Sequence, residues 1–498
     1  VNFSGNFGYT PNQNESNSQS ASFDAPPGVN HENLFSDFES VPRDIKVNRS
    51  ENRSRSENES HRYHWAMGVM RRLNEKGTTL GLNIQNSDSW GNNESFSLSE
   101  TTYFRLKDKN GNDSVLYRNQ YLKSPQRNNS WRVGLSFTQP VGKKVRLRVA
   151  YNWSTRYERS NRDTYELSSL ASSDIYGELP SGYEAGYVDS LSNRSHSRSN
   201  GHDLNVGVNY SDDTWMFNAS LGVTPQRRTI DRKVGKLYAD TAMNMIDFQP
   251  MIWMSWRKKE MRVSLNYNGN TRQPSLSDLM PLTDNSNPLY ITRGNPDLKQ
   301  MFSHNIRLNF QNSPKGISAN LGGQVEQNSV TQVMIYDVQT GGRETYPVNI
   351  NGNWNLFGGA SWWKRFGHFS LRLDMSGNHS NRVGMINEDK SLQPEKSTTR
   401  DTGLNCEAQA SYQPSWGGID LSTSWNYQYS LNSLNDNDTY TRYYNFGLNG
   451  YVDFPFGLQL RTDATYNLRS GTNIQKGEDD EILWNAGATW RFLKKKEA

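Results

Sequence analysis

The chain has 498 residues, of which 33% are hydrophobic, and 55 basic side chains nearly balance 51 acidic ones to leave a formal charge of +4. No run of about 18 apolar residues occurs, which excludes a membrane-crossing helix. The charge balance leaves no basic footprint for nucleic acid. A single cysteine, Cys406, excludes a disulfide framework and any Cys-based zinc cluster. Aromatic residues reach 12%, with 14 Trp and 25 Tyr, far too many rings for the solvated coil that low hydrophobicity alone would suggest.

Two-residue alternation recurs from one end of the chain to the other. Val1, Phe3, Gly5, Phe7 and Tyr9 open it on one face of a strand over 1–10. In 145–154, Val145, Leu147, Val149, Tyr151 and Trp153 oppose Arg146, Arg148, Ala150, Asn152 and Ser154. Phe369, Leu371, Leu373 and Met375 then alternate with Ser370, Arg372, Asp374 and Ser376. Ile419 to Tyr429 and Phe456 to Leu468 repeat the pattern, and 481–493 is the last strand. A strand sends neighbouring side chains to opposite faces, so each segment has one apolar and one polar face. Each spans about ten residues, the length a tilted strand needs to cross a bilayer.

Eight short turns punctuate the strands, at 74–77, 140–143, 211–213, 257–260, 313–316, 365–367, 415–418 and 454–457. Long polar loops are expected between them, at 11–59, 106–129, 155–200, 226–242, 271–301, 378–398, 431–439 and 471–479. Short turns on one side and long loops on the other is the asymmetry of an outer-membrane barrel, with the turns periplasmic. Eight turns join sixteen strands, and the two terminal strands bring the count to about eighteen. Trp131, Trp153, Trp215, Trp253, Trp256, Trp416, Trp484 and Trp490 sit near strand ends, where interfacial girdles form. A soluble β protein with these tryptophans in its core would want more Leu, Ile and Val.

The segment Asn287-Pro288-Leu289-Tyr290-Ile291-Thr292-Arg293-Gly294-Asn295-Pro296-Asp297-Leu298-Lys299 leads into a strand at Ser303–Phe310. It resembles the N-P-L-x-x-x-G-N-P-x-L-K-P-E segment of TonB-dependent outer-membrane receptors, in particular the large outer-membrane β-barrel family; Gln300-Met301 stands where that family has Pro-Glu. Trp484 to Phe492, followed by Leu493 and three lysines, is similar to the segment before the family's last two strands. The resemblance implies an all-β transmembrane antiparallel barrel, with about eighteen strands present of an expected twenty-two. The whole chain, 1–498, would then be barrel, cut at both ends, with the plug domain and closing strands outside it. A gap is expected between 1–10 and 481–493.

The implied function is the barrel portion of an active transporter for a nutrient ligand such as a glycan, a peptide or a siderophore-like molecule. The other reading is a barrel that serves as an adhesin or assembly scaffold without transport. Implied partners are outer-membrane lipid and the TonB complex, reached through an N-terminal plug; a surface lipoprotein is a further partner this class admits.

No local catalytic motif such as G-x-S-x-G or H-E-x-x-H occurs, so neither catalytic nor metal residues nor a cofactor is assigned. His61 and His64 are three apart in a strand and point to opposite faces. Cys406 alternates with Leu404, Ala408 and Ala410 and is expected to face lipid. The candidate ligand-binding residues are Tyr157, Tyr165, Tyr176, Tyr183 and Tyr187, set among Asp174, Glu178, Glu184 and Asp189 in 155–200. Rings beside carboxylates can stack on and hydrogen-bond a sugar or peptide; the alternative is a solvated surface loop.

Overall fold

A strand with one apolar and one polar face needs neighbours along both edges and a different medium on each side. In the computed structural model, which describes residues 1–27, 38–168, 176–280, 283–287, 289–387, 393–472 and 480–491, a single 22-stranded sheet meets that need. In chain order its first half is β1 (Asn2–Phe23), β2 (Lys46–Arg72), β3 (Thr79–Lys107), β4 (Asp113–Val141), β5 (Val145–Glu166), β6 (Asn193–Ser211), β7 (Trp215–Val234), β8 (Leu237–Lys258), β9 (Met261–Arg272), β10 (Thr283–Asn287) and β11 (Tyr290–Arg293). The second half is β12 (Met301–Asn312), β13 (Ile317–Gln327), β14 (Ser329–Asp337), β15 (Gly342–Ile350), β16 (Trp354–Phe366), β17 (Phe369–Asn387), β18 (Glu395–Tyr412), β19 (Gly417–Asn432), β20 (Asn435–Asp453), β21 (Leu458–Gly471) and β22 (Asp480–Trp490).

Every strand except β10, β11, β14 and β15 belongs to one continuous antiparallel wall, in which β9 pairs with β12 and β13 with β16. That wall has the eighteen strands the turn spacing predicts. Among the described residues no ladder joins β1 to β22, so the sheet is open along that edge, as expected. The remaining four strands form an appendage, with β14 parallel to the top of β17, β15 antiparallel to β14, β11 parallel to β15, and β10 antiparallel to β11.

Register carries one apolar face across the wall. Phe3, Met67, Ile84, Val133 and Trp153 are successive cross-strand partners. Leu373, Ala408, Thr423, Phe446 and Tyr466 do the same further round. Many of this face's large side chains are exposed, Leu321 at 55% and Leu421 at 51% among them. An apolar surface this continuous is a lipid-facing surface. Cys406 lies on it, paired with Met375 and Trp425. The opposite, polar face lines the lumen.

All eight short turns appear where the spacing put them. Gly316 shows why glycine is fixed in one of them: its φ is +64°, and a Cβ there would collide with the Trp363 carbonyl.

The long loops are the main correction. Residues 11–23, 46–59, 113–129 and 155–166 continue the strands instead of leaving them, and the first four wall strands reach 22, 27, 29 and 29 residues. Above the lipid both faces meet water, so the apolar signal stops while the backbone ladder runs on. Residues 28–37, 169–175, 388–392 and 473–479 of the expected loops lie outside the described residues.

The tryptophans divide into two levels. Trp215 and Trp256 pair beside a short turn with ring centroids 6.5 Å apart, and Trp416 and Trp490 lie at the same level. Trp131 and Trp153 sit mid-strand, at the upper edge of the apolar band. Trp484 faces lipid within β22. Trp253 departs from the expectation, because it is three residues from lipid-facing Trp256 and so points to the lumen. Histidines mark the upper edge too: Tyr151 Oη lies 2.7 Å from His202 Nδ1, and Tyr267 Oη lies 3.1 Å from His304 Nδ1. His61 stacks on Trp90 in the same tier, while His64 takes the lumen face.

Replacing Leu421 or Leu460 with Arg is expected to cost about 2–4 kcal/mol near the bilayer midplane, whereas Arg at lumen-facing Ser424 or Asp463 is tolerated. Folding titrations into lipid vesicles measure the difference, and equal costs on the two faces would contradict the assigned surfaces. An epitope inserted at Gly111, in the β3–β4 hairpin tip, should be labelled on intact cells, and one at Gly142 should not.

Candidate functional site in the upper lumen

Where the strands outlast the apolar band, the inward side chains are the ones a solute in the lumen meets. Two concave polar regions lie there, on different arcs of the wall. The first, of about 750 Å3, is lined by β1–β7 through Asn58, Asn93, Gln126, Glu158, Ser197 and Arg228. Glu158 is held from two sides, by an ion pair with Arg156 and by the Ser197 hydroxyl, which donates to it at 3.2 Å. The second, of about 700 Å3, draws Gln324, Glu326, Asn378, Arg382, Asp401 and Gln428 from β13 and β17–β19. Arg382 donates through Nε at 3.1 Å and through Nη2 to one Asp401 oxygen, and Ser430 Oγ donates to the other at 2.7 Å. Glu326 accepts from Gln324 at 2.9 Å and from Ser329 at 2.7 Å.

Amides and hydroxyls dominate both regions, with paired charges at Glu158 in the first and at Asp401 in the second. Such a lining exchanges hydrogen bonds with a polar solute and offers little to an apolar one.

An inward-folded lobe borders the first region with Ser275 and Ser277. Its base is a small apolar core in which Leu279, Met280 and Leu298 pack on lumen-facing Ile230 and Val234. The Gly-Asn-Pro segment builds this lobe. A Cβ on Gly294 would run into the Met280 carbonyl, so only glycine lets the two segments close. Asn295 N–H donates to Asp278 O at 2.5 Å, and its side chain donates to Pro347 O at 3.0 Å. Lys299 and Asn349 exchange two hydrogen bonds, at 2.6 and 2.9 Å.

The β14–β15 hairpin extends the lobe, and no expected loop covered it. It rises between β13 and β16, pairs with the top of β17, and its tip touches the far strands β2 and β3. There Asn48 Nδ2 donates to Thr340 O at 2.7 Å, and Arg105 Nη1 donates to Val338 O at 2.9 Å. The described structure therefore carries a strap that links two separate parts of the wall. Ser329–Ile350 contains the apolar run Val333-Met334-Ile335-Tyr336, so it does not stand out in the sequence as a polar loop.

The five candidate tyrosines fall on the opposite, outward face of the upper wall. Tyr165 meets Tyr183 edge-on at 5.1 Å and Tyr187 edge-on at 5.7 Å. Tyr183 also meets Tyr121 edge-on at 5.5 Å. Burial pushes the Tyr121 phenol well up, and a hydrogen bond to Glu94 adds to the effect. Tyr176 donates to Phe96 O at 3.1 Å with its ring against Arg53. Tyr157 stands apart, 37% exposed and opposite Arg198. Tyr165, Tyr183 and Tyr187 thus come together, while Tyr157 and Tyr176 do not join them. Asp174 lies outside the described residues.

A family model for the outer membrane protein beta-barrel family matches residues 71–390, more than half of the sequence. The chain belongs to that family. The matched span begins at the foot of β2 and includes the lobe and the strap. Family membership and the lipid-facing belt place the protein in the outer membrane. No curated protein matches the chain. Similar solved structures include the copper transporter OprC, at 9% identity and a TM-score of 0.44, covering 84% of this chain and 70% of that one. The FrpB iron transporter from Neisseria meningitidis is 10% identical with a TM-score of 0.41, covering 98% and 81%. The siderophore receptor PirA from Pseudomonas aeruginosa is 10% identical with a TM-score of 0.36, covering 96% and 80%.

Gly294→Ala should loosen the lobe while leaving the wall intact. Hydrogen exchange is expected to rise across 275–300 and 329–350 and to stay unchanged in β18–β21. Uniform exchange across all of these would remove the assigned role of Gly294.

Proposed function

We propose that this chain forms the wall of an active transporter that draws a polar nutrient across the outer membrane, energised by the TonB complex through a plug domain seated in the lumen. The observation that carries this reading is the lining of the upper lumen, with two regions rich in amides and hydroxyls, the first of them bordered by an inward-folded lobe. A glycan or a peptide matches that lining best, because each presents many hydrogen-bonding groups and little apolar surface. A siderophore-like ligand belongs to the same reading through its polar donor groups. The wall does no covalent chemistry in this scheme. It supplies a hydrated surface and ligand contacts.

The tyrosines Tyr157, Tyr165, Tyr176, Tyr183 and Tyr187 have a separate role in the proposal. On the outward face above the lipid they are available to a ligand approaching from outside, or to a surface lipoprotein that delivers it.

The test is uptake by cells carrying the Arg382→Ala and Asp401→Ala pair, challenged with oligosaccharide and peptide mixtures as the limiting nutrient. Loss of hydrogen bonds to a charged group at about 1.5–3 kcal/mol predicts at least a tenfold fall in uptake of the true ligand class. Uptake in the parent should also collapse when a protonophore removes the energy source. Uptake indifferent to the protonophore would count against active transport, and no uptake dependent on this chain would favour the adhesin or scaffold reading. Replacing 176–190 with a Gly-Ser linker should lower uptake while barrel assembly, read by heat-dependent gel mobility, is retained.

A further inference from the structure

The outward face holds a feature that neither the apolar belt nor the transport path uses. Arg127 on β4, Arg159 on β5, Arg198 on β6 and Arg227 on β7 all share the parity of the lipid-facing residues below them. Each lies about twelve to fourteen residues along its strand from a short turn. At about 3.3 Å per residue and a tilt near 40°, that height is roughly 8 Å above an apolar band about 25 Å tall. The row therefore stands in the headgroup layer of the outer leaflet, just above the tier of Trp131, Trp153 and His202.

Carboxylates satisfy only part of this positive charge. Asp88 takes Arg127 at 3.0 Å, Asp163 takes Arg194 at 3.4 Å, and Asp231 takes His196 at 3.1 Å. Lys233 pairs with Asp189 at 3.5 Å. Arg159, Arg198 and Arg227 have no carboxylate partner among the described residues. Arg159 Nε and Nη2 lie 3.0–3.1 Å from the Asn161 side-chain amide, whose oxygen accepts from them once the amide is turned toward the guanidinium.

Their neighbours sharpen the imbalance. Arg159 is directly opposite Arg127, an arrangement that like-charge repulsion disfavours unless an anion lies between them. A hollow of about 500 Å3 opens beside the pair, bordered by Trp90, Pro125, Arg127 and Arg159, with Asp88, the partner of Arg127, at its edge. Trp90 is stacked on His61 and is 42% exposed.

We propose that this row is a binding surface for the phosphorylated sugar headgroup of an outer-leaflet glycolipid. Guanidinium groups bind phosphate oxygens through parallel N–H donors, and an indole beside them suits the apolar face of a hexose. The acyl chains of such a lipid would lie on the belt directly beneath, so the two surfaces are continuous. Anionic charge at this height is what the uncompensated arginines complement.

The experiment uses the whole chain in detergent micelles and native mass spectrometry, with hexa-acylated diphosphoryl lipid A as the probe. The R159A/R198A/R227A triple variant should retain at least tenfold less of it than the parent, and the corresponding lysine triple should fall between the two, because the charge is kept while the parallel N–H donors are lost. Arg148→Ala, on the lumen face of β5, should bind like the parent. Dephosphorylated lipid A should bind the parent no better than the diphosphoryl form binds the alanine triple. That comparison needs no variant, and so decides the matter even where the triple fails to fold. Equal retention of the phosphorylated and dephosphorylated lipids would overturn the proposal. So would undiminished binding to a folded alanine triple, or retention of dioleoylphosphatidylglycerol as strong as that of lipid A.

Discussion

A peptide N–H or C=O left unpaired in hydrocarbon costs several kcal/mol, and every other feature of this molecule follows from avoiding that cost. A strand meets the requirement only through its neighbours, so the wall is a ladder of antiparallel strands. Once the backbone is committed to that ladder, side chains alternate between lipid and lumen with a period of two. The low hydrophobic content follows from this, because one residue in two must suit lipid and the other must suit water. A helical membrane protein of the same size would need far more apolar residues.

The same constraint explains what the sequence discloses. Alternation is sharp where lipid lies on one side, so strands such as Val145–Trp153 and Ile419–Tyr429 are legible residue by residue. The short turns are legible as well, through glycines such as Gly316 whose backbone conformation leaves little choice. Above the lipid the contrast vanishes. Asn48, Ser50, Asn52 and Ser54 sit in a regular ladder of β2, yet their composition is that of a loop. The length of the strands, and with it the height of the wall, was hidden for that reason. The β14–β15 strap was hidden for the opposite reason: its apolar run Val333–Tyr336 has nothing of a loop's composition, although the hairpin lies outside the antiparallel wall and pairs in parallel with β17.

The candidate site divides along the same line. The motif around Gly294 and Asn295 was visible as a resemblance, but its physical role required the contacts with Met280, Asp278 and Pro347. The tyrosines of 155–200 were visible as a composition. Register then put Tyr157 and Tyr165 on the outer side of the wall, a distinction that composition does not carry. The lumen-facing group around Arg382 and Asp401 was visible only as scattered polar residues. Their partnership depends on β17 and β18 pairing with Arg382 opposite Thr399 and Asp401 opposite Ser380.

Strand parity finally ties ligand and lipid together. Glu158 faces the lumen and Arg159 the membrane surface; Arg228 faces the lumen and Arg227 the membrane surface. Adjacent residues on one strand thus serve two different media at one height. A slip of one residue in the pairing of β5 or β7 would exchange them, turning carboxylate outward and apolar side chains into the lumen. Such a slip costs far more than the local contacts it breaks, because every lipid-facing residue below moves with it. The apolar belt therefore fixes the orientation of polar groups that never touch the hydrocarbon, and the long rigid ladders carry that orientation upward to the mouth of the barrel.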